Sequence, residues 1–301
     1  MSHALDANVV LHKLALALPK NLHQDLIVVG SLAAAAQLVH DSSTELRTKD
    51  VDGMLAPNAR AAVAASELAV ALMDKGWEPR VDKEKYVFPA GSTTPAEKLP
   101  VIRLLPPDSR HTEWFLELLG APPALAPDKS GSVRYSNRVQ TSKSDFEIPS
   151  FAYLGVTQFR PVRHESGLQL AAVPMMALSN LLHHPGISDQ VMSEMVASRK
   201  IKRSNKDLGR VIAMAFLADE LNEDSVEQWP ELWRTALQEL SAPAETQAKL
   251  STVNRGIHAL RNSHDDQNEA LHSINNGLLS SRPLNDRQFA IAIQRYLQQT
   301  S

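Results

Sequence analysis

The apolar run DLIVVG reads as a short buried strand that stops at Gly30, and Ser31–His40 continues from it directly as an alanine-rich helix. The chain then returns in KDVDGML, a strand-like segment carrying Asp50 and Asp52. A strand that turns straight into a helix presents backbone N–H groups at the helix start, where the helix dipole favours an anion. Gly30 lets a ligand approach the backbone, and the Ser31 hydroxyl adds a donor. Asp50 and Asp52 are two residues apart on a strand, so both carboxylates share one face. Two such carboxylates beside a phosphate-binding turn suit Mg²⁺ held against a triphosphate.

Composition narrows the setting. The 301 residues, 43% of them hydrophobic, supply enough apolar material for one large domain or two smaller ones. A formal charge of −3 argues against a globally basic, non-specific nucleic-acid binder. The absence of cysteine removes disulfides, thiolate zinc sites and cysteine nucleophiles, and fits a reducing cytoplasm. His12 and Lys13 interrupt the N-terminal apolar run, so no signal peptide is expected. The longest stretch free of Asp, Glu, Lys and Arg, Ser166 to Ser188, is broken by Gln169, Pro174, Asn180, His183, His184 and Pro185, so no membrane span is expected.

Along the chain, residues 4–18 read as an amphipathic helix, and Asn58 as the N-cap of a helix over 59–75 that ends at Gly76. Short strands are expected at 86–88, 101–105, 113–119, 132–139, 150–156 and 168–173. After Pro174 the pattern turns helical, with helices expected at 175–183, 188–199, 205–220, 225–240, 243–262, 265–279 and 286–299. The expected fold is α/β of the α+β kind: a mixed-sheet domain over residues 1–172, then an all-helical domain over 173–301.

An Asp-x-Asp arises by chance about once in a chain of this size, and alone it reads as a solvated strand end. The ordered combination is sharper. Strand, Gly30-Ser31, helix, then Thr48-Lys49-Asp50-Val51-Asp52 resembles the nucleotidyltransferases of the DNA polymerase β type, and most closely their AbiEii-like toxin branch. The resemblance spans roughly residues 25–215. It implies a sheet domain of nucleotidyltransferase type and a third carboxylate on a neighbouring strand, where EWFLELLGAPP offers Glu117, with Glu113 a lesser competitor. The family most often has Asp there; the alternative for Glu117 is a strand-edge residue facing water. The branch also carries a Lys-Asp pair at the start of a helix, matched by Lys206 and Asp207, with Ser204 or Asn205 as the expected cap. The acidic residue usual after the proline of LQLAAVPMMALSNLL is Met175 here.

The resemblance implies an enzyme that transfers a nucleotide from an NTP to an acceptor. Asp50, Asp52 and Glu117 would hold one or two Mg²⁺, and Glu117 would help deprotonate the acceptor hydroxyl. Gly30, Ser31, Thr48, Lys206 and Asp207 would bind the nucleotide, with Lys206 neutralising triphosphate charge. Implied partners are RNA, transfer RNA in particular, as acceptor, and a protein antitoxin; no membrane is involved. Residues 199–210, with six basic residues and one acid, and the scatter Arg134, Arg138, Lys143, Arg160 and Arg163 read either as RNA-gripping patches or as solvated faces. The alternative to an enzyme is a non-catalytic module of the same fold that binds NTP or a protein partner. His183-His184 reads as helix-end capping, SHDD as a helix cap and the Trp229, Trp233 pair as core packing.

Overall fold

The computed structural model describes residues 5–39, 50–107, 114–127, 134–187, 190–192, 195–221 and 226–300. The chain is mixed α/β and divides into two compact units: the described parts of Met1–Ala33 with Thr48–Ala171, and of Ala34–Arg47 with Ala172–Ser301. Among the described residues no helix is long and apolar enough to cross a membrane.

The first unit is built on a sheet. Helix α1 (Ala7–Ala17) is opened by Asp6, whose carboxylate accepts the Asn8 and Val9 N–H groups. Strand β1 (Leu26–Val29) is fully buried and leads without a loop into α2 (Gly30–Leu38). Strand β2 (Asp50–Leu55), α3 (Asn58–Asp74), β3 (Glu78–Pro79), β4 (Arg103–Leu105) and β5 (Phe115–Gly120) follow. The hairpin β6 (Arg134–Gln140) and β7 (Asp145–Phe151) forms a separate two-stranded sheet, and β8 (Val162–Arg163) and β9 (Gln169–Leu170) return to the main one. The main sheet has the order β3-β4-β5-β2-β1-β9-β8. It is mixed: β1 runs antiparallel to β2 and parallel to β9, while β2 runs parallel to β5.

Alternation along β2 and β5 separates two faces. Val51, Gly53, Leu55, Leu116 and Leu118 lie on one, where Gly53 leaves room for Leu26, Leu116 and Leu118. Asp50, Asp52, Met54, Phe115, Glu117 and Leu119 lie on the other. A 3₁₀ stretch, Ala152–Gln158, meets the Met54 end of this second face, where the Thr157 hydroxyl lies 3.6 Å from the Met54 sulfur.

Several sequence expectations are corrected here. Residues 86–88 form no strand, because Val87 N–H is taken by the Lys98 carbonyl in a loop. Asn58 is the first helical residue of α3 rather than its cap; its amide donates to Ala121 O at 2.7 Å, and Pro57 holds the cap position. The strand expected at 150–156 runs earlier, over Asp145–Phe151, and then tightens into 3₁₀ geometry.

The second unit is helical. After the last residues of α2 it comprises α4 (Val173–Ile187), α5 (Arg203–Leu221), α6 (Trp229–Leu240), α7 (Pro243–Leu250), α8 (Arg255–Arg261), α9 (His264–Asn275) and α10 (Asp286–Gln299). Trp229 and Trp233 are buried with ring centroids 6.1 Å apart, and Trp233 Nε1 donates to Pro174 O at 2.8 Å, tying α6 to α4. The described part of 188–199 is not helical: Val191 pairs with Lys202, Val196 with Arg199, and Ala197 and Ser198 take positive φ. The helix expected over 243–262 breaks at 251–254. Helix α4 does not end at the histidine pair but runs on to Ile187.

Close packing of α5 on α9 depends on Gly209, where an added Cβ would lie 3.0 Å from Ala270 O and 3.2 Å from Ile274 Cγ2. Gly209→Val is therefore expected to destabilise the chain by about 2 kcal/mol, read as a lower urea midpoint at unchanged m-value.

Candidate active site

The site grows from the corner between β1 and α2. Gly30 has φ +78°, a left-handed conformation that L side chains rarely adopt. A Cβ built on it would stand 2.8 Å from Asp52 Oδ2, so the missing side chain is what seats the carboxylate against the corner. Register places Asp52 there: Val29 is its Cα partner on β1, and Glu117 its partner on β5. Asp50, two residues earlier on the same face, pairs with Phe115 and is exposed. Asp52 and Glu117 are partly covered. Ser31 follows Gly30 in the first turn of α2 and is partly exposed. Gly30, Ser31, Asp50, Asp52 and Glu117 are thus brought to one region of the first unit.

Two residues that the sequence reading passed over complete this face. Arg103 on β4 is the Cα partner of Glu117, and its Nε donates to Glu117 Oε2 at 2.6 Å. The carboxylate is 15% exposed, so its charge is balanced mainly by this guanidinium. Arg80 donates its backbone N–H to Arg103 O, and its guanidinium carbon lies 4.3 Å from the Phe115 ring centroid. The Arg103 guanidinium lies 5.8 Å from the same ring. Ile102 and Leu104 are fully buried, so alternation alone would have turned Arg103 to the opposite face; which strand it then meets is a matter of sheet order. Arg103→Gln is expected to remove about 2 kcal/mol of stability by stripping a mostly buried carboxylate of its partner, with thermal melting as the check.

No family model, curated protein or solved structure matches this chain.

Among the described residues, no three or more acidic or histidine side chains gather into a group that would hold a metal ion by themselves. Glu117, the Cα partner of Asp52, is engaged with Arg103. The donor chemistry of the pair Asp50 and Asp52 still suits a hard divalent cation, which takes oxygen ligands and fills its remaining positions with water and phosphate. Thr48 and Glu113, both named from the sequence, lie outside the described residues.

Lys206 and Asp207 belong to the second unit. Lys206 ends the first turn of α5, which starts at Arg203, and Asp207 follows it, so neither Ser204 nor Asn205 is the cap. Instead α9 closes that end. Glu269 accepts the Lys202 N–H at 2.8 Å, and Asn205, buried, donates to both Glu269 and Asp266. Lys202 Nζ pairs with Asp266 at 2.9 Å. Burial disfavours the Asp266 charge, but hydrogen bonds from Lys202, Asn205 and Ser263 outweigh it and hold its carboxyl below the usual range. Ser263 caps α9 as the SHDD segment suggests, accepting the Asp266 N–H. Asp207 faces His183 of α4, which burial pushes down to about 4; Asp207 opposes that shift and Arg203 adds to it.

Part of the basic scatter is engaged within the fold. Arg134 pairs with Glu147 at 3.0 Å, Arg138 with Asp145 at 3.0 Å and Lys143 with Asp74 at 2.9 Å. Arg138 also donates to the carbonyls of Ser92 and Thr94, stapling the 91–94 loop to the hairpin.

Proposed function

We propose that the chain is a Mg²⁺-dependent nucleotidyltransferase of the DNA polymerase β type, related to the AbiEii-like toxins. In this reading the sheet domain occupies residues 1–172, a helical domain occupies 173–301, and the enzyme acts in the cytoplasm. The observation that carries it is the Asp52 carboxylate seated against Gly30 at a strand-to-helix corner, with Asp50 on the same face. Asp50 and Asp52 would hold the cation, which supplies positive charge to phosphate oxygens in the transition state. Ser31 and the first turn of α2 bind the triphosphate.

In the transfer, the acceptor hydroxyl oxygen bonds to the α-phosphorus of the NTP. The bond from that phosphorus to the bridging oxygen breaks, pyrophosphate departs and the hydroxyl proton passes to a base. RNA, transfer RNA in particular, is the proposed acceptor, and a protein antitoxin the proposed partner. The test is incubation with each α-labelled NTP, Mg²⁺ and total RNA. Label on RNA that needs the metal supports the reading; no label on RNA, protein or small molecule with any NTP overturns it.

One observation favours a second reading. Glu117 is already neutralised by an ion pair with Arg103, which fits a non-catalytic module that binds NTP or a protein partner without turning it over. Saturable NTP binding in the same mixtures, with no label transferred, supports that module.

A further inference from the structure

In the helical unit a groove of about 600 Å³ opens where α7 ends and α8 begins. That size lies within the ~300–1,000 Å³ of small-molecule sites. The turn at 251–254 separates the two helices, and Asn254, its side chain held by Thr300 and Tyr296, stands in the wall of the groove. The apolar part of the lining is Pro230, Trp233, Leu250 and Val253. The Trp233 ring is held in place there, because its Nε1 donates to Pro174 O at 2.8 Å. The charged part carries one sign only. Arg234 of α6 and Arg255 and His258 of α8 line the groove, and among the described residues no Asp or Glu does, in a chain whose formal charge is −3. Arg255 and His258 are three residues apart and share a side of α8. Gly256, Ile257 and Leu260 are buried on the other side, where a Cβ added to Gly256 would lie 2.7 Å from the His184 ring and 2.9 Å from Leu208. Arg255 and His258 are therefore left exposed, and among the described residues their side chains have no hydrogen bond or ion pair. Arg234 pairs with Glu231 of its own helix, both exposed, and such pairs are weak. A guanidinium presents a planar fork of donors that fits a carboxylate or a phosphate, and an imidazole adds an N–H in either neutral tautomer.

We infer that this groove binds an organic oxyanion: an apolar body packed against Trp233, Leu250 and Val253, with a carboxylate or phosphate head taken by Arg255, Arg234 and His258. The two parts of the lining set this class. An inorganic anion uses the guanidiniums but leaves the apolar wall facing water. An uncharged apolar molecule covers that wall but takes water from the guanidiniums without replacing it. None of these residues takes part in the proposed nucleotide transfer, so either reading can fail without the other.

The experiment is calorimetric titration of the full chain, without divalent ions, with α-naphthyl phosphate and α-naphthoate. Inorganic phosphate and α-naphthol probe the charge and the body alone. The expected result is one site per chain for at least one of the two organic anions, with inorganic phosphate and α-naphthol each about tenfold weaker or more. Arg255→Ala is expected to weaken binding about fivefold or more, and Arg234→Ala about twofold or more. Gln247→Glu places an acid in the lining at nearly constant size and is expected to weaken binding about threefold or more. Arg261→Ala, on α8 but outside the groove, is expected to change it less than twofold. All four of these side chains are exposed, so the variants are expected to fold, and a melting curve for each checks this. No binding of either organic anion, or binding unaltered in both Arg255→Ala and Gln247→Glu, overturns the inference. Inorganic phosphate bound as tightly as the organic anions overturns the part given to the apolar wall, and α-naphthol bound as tightly overturns the anionic class.

Discussion

Asp52→Asn is expected to lower metal-dependent nucleotide transfer by roughly 10³-fold or more, the equivalent of about 4 kcal/mol of transition-state stabilisation. The substitution keeps the size and one oxygen of the side chain, so the corner at Gly30, where Asp52 Oδ2 would lie 2.8 Å from a Cβ, stays filled. What it removes is a negative charge that shares a face with Asp50 and stands in register with Glu117. The check is single-turnover transfer of labelled nucleotide together with a melting curve for the same preparation. Activity within tenfold of the parent, at unchanged melting temperature, would remove Asp52 from the chemistry. Gly30→Ala tests the same corner by a different route, since it forces both a strained backbone and displacement of the carboxylate.

The second large effect lies in the helical unit. Burial pushes His183 of α4 down to about 4, against about 6.5 for an unperturbed histidine. A folded-state pKa lowered in this way means that the unfolded chain binds the proton first. Stability is full above about pH 6.5, falls as pH drops through 6.5 toward 4, and levels once both states are protonated. The window is worth about 3 kcal/mol. Chemical denaturation across that range should show His183→Gln losing less stability on acidification than the parent, by about one proton's slope. The comparison must be with the variant, because His164 is shifted the same way by partial burial. Equal slopes would refute the buried neutral histidine.

What the sequence discloses is what depends on near neighbours. Helix α10 spans Asp286–Gln299 as periodicity predicts, and Asn285 and Gln288 form a reciprocal cap that three-residue spacing permits. The Gly30 corner and the shared face of Asp50 and Asp52 are likewise local. What it conceals is settled by distant partners. Asn254 stands at the start of α8, after the break in the run that periodicity carries through it, and its side chain is held by distant partners: its amide donates to Thr300 and its Oδ1 accepts from Tyr296, both at the far end of the chain. The start of α5 is closed by Glu269 and Asp266 of another helix, so local capping residues mislead there. Arg103 escapes notice for the same reason: strand alternation shows which face it takes, but only the order β4-β5-β2 shows that this face meets Glu117 and then Asp52. Residues 86–88 are too short an apolar run to tell strand from loop.

The sheet order has a further consequence for how the protein comes into being. Strand β1 lies between β2 and β9, and Ile27 finds its second neighbour only in Gln169. At ~5–20 residues added per second, the interval between the two leaving the ribosome is on the order of ten seconds. During that wait β1 can pair with β2 on one side, but its other edge stays open, lined by some of the most apolar residues in the molecule. A nascent chain stalled before residue 169 is therefore the form most prone to capture by chaperones or to aggregation, and release past it closes the exposed seam.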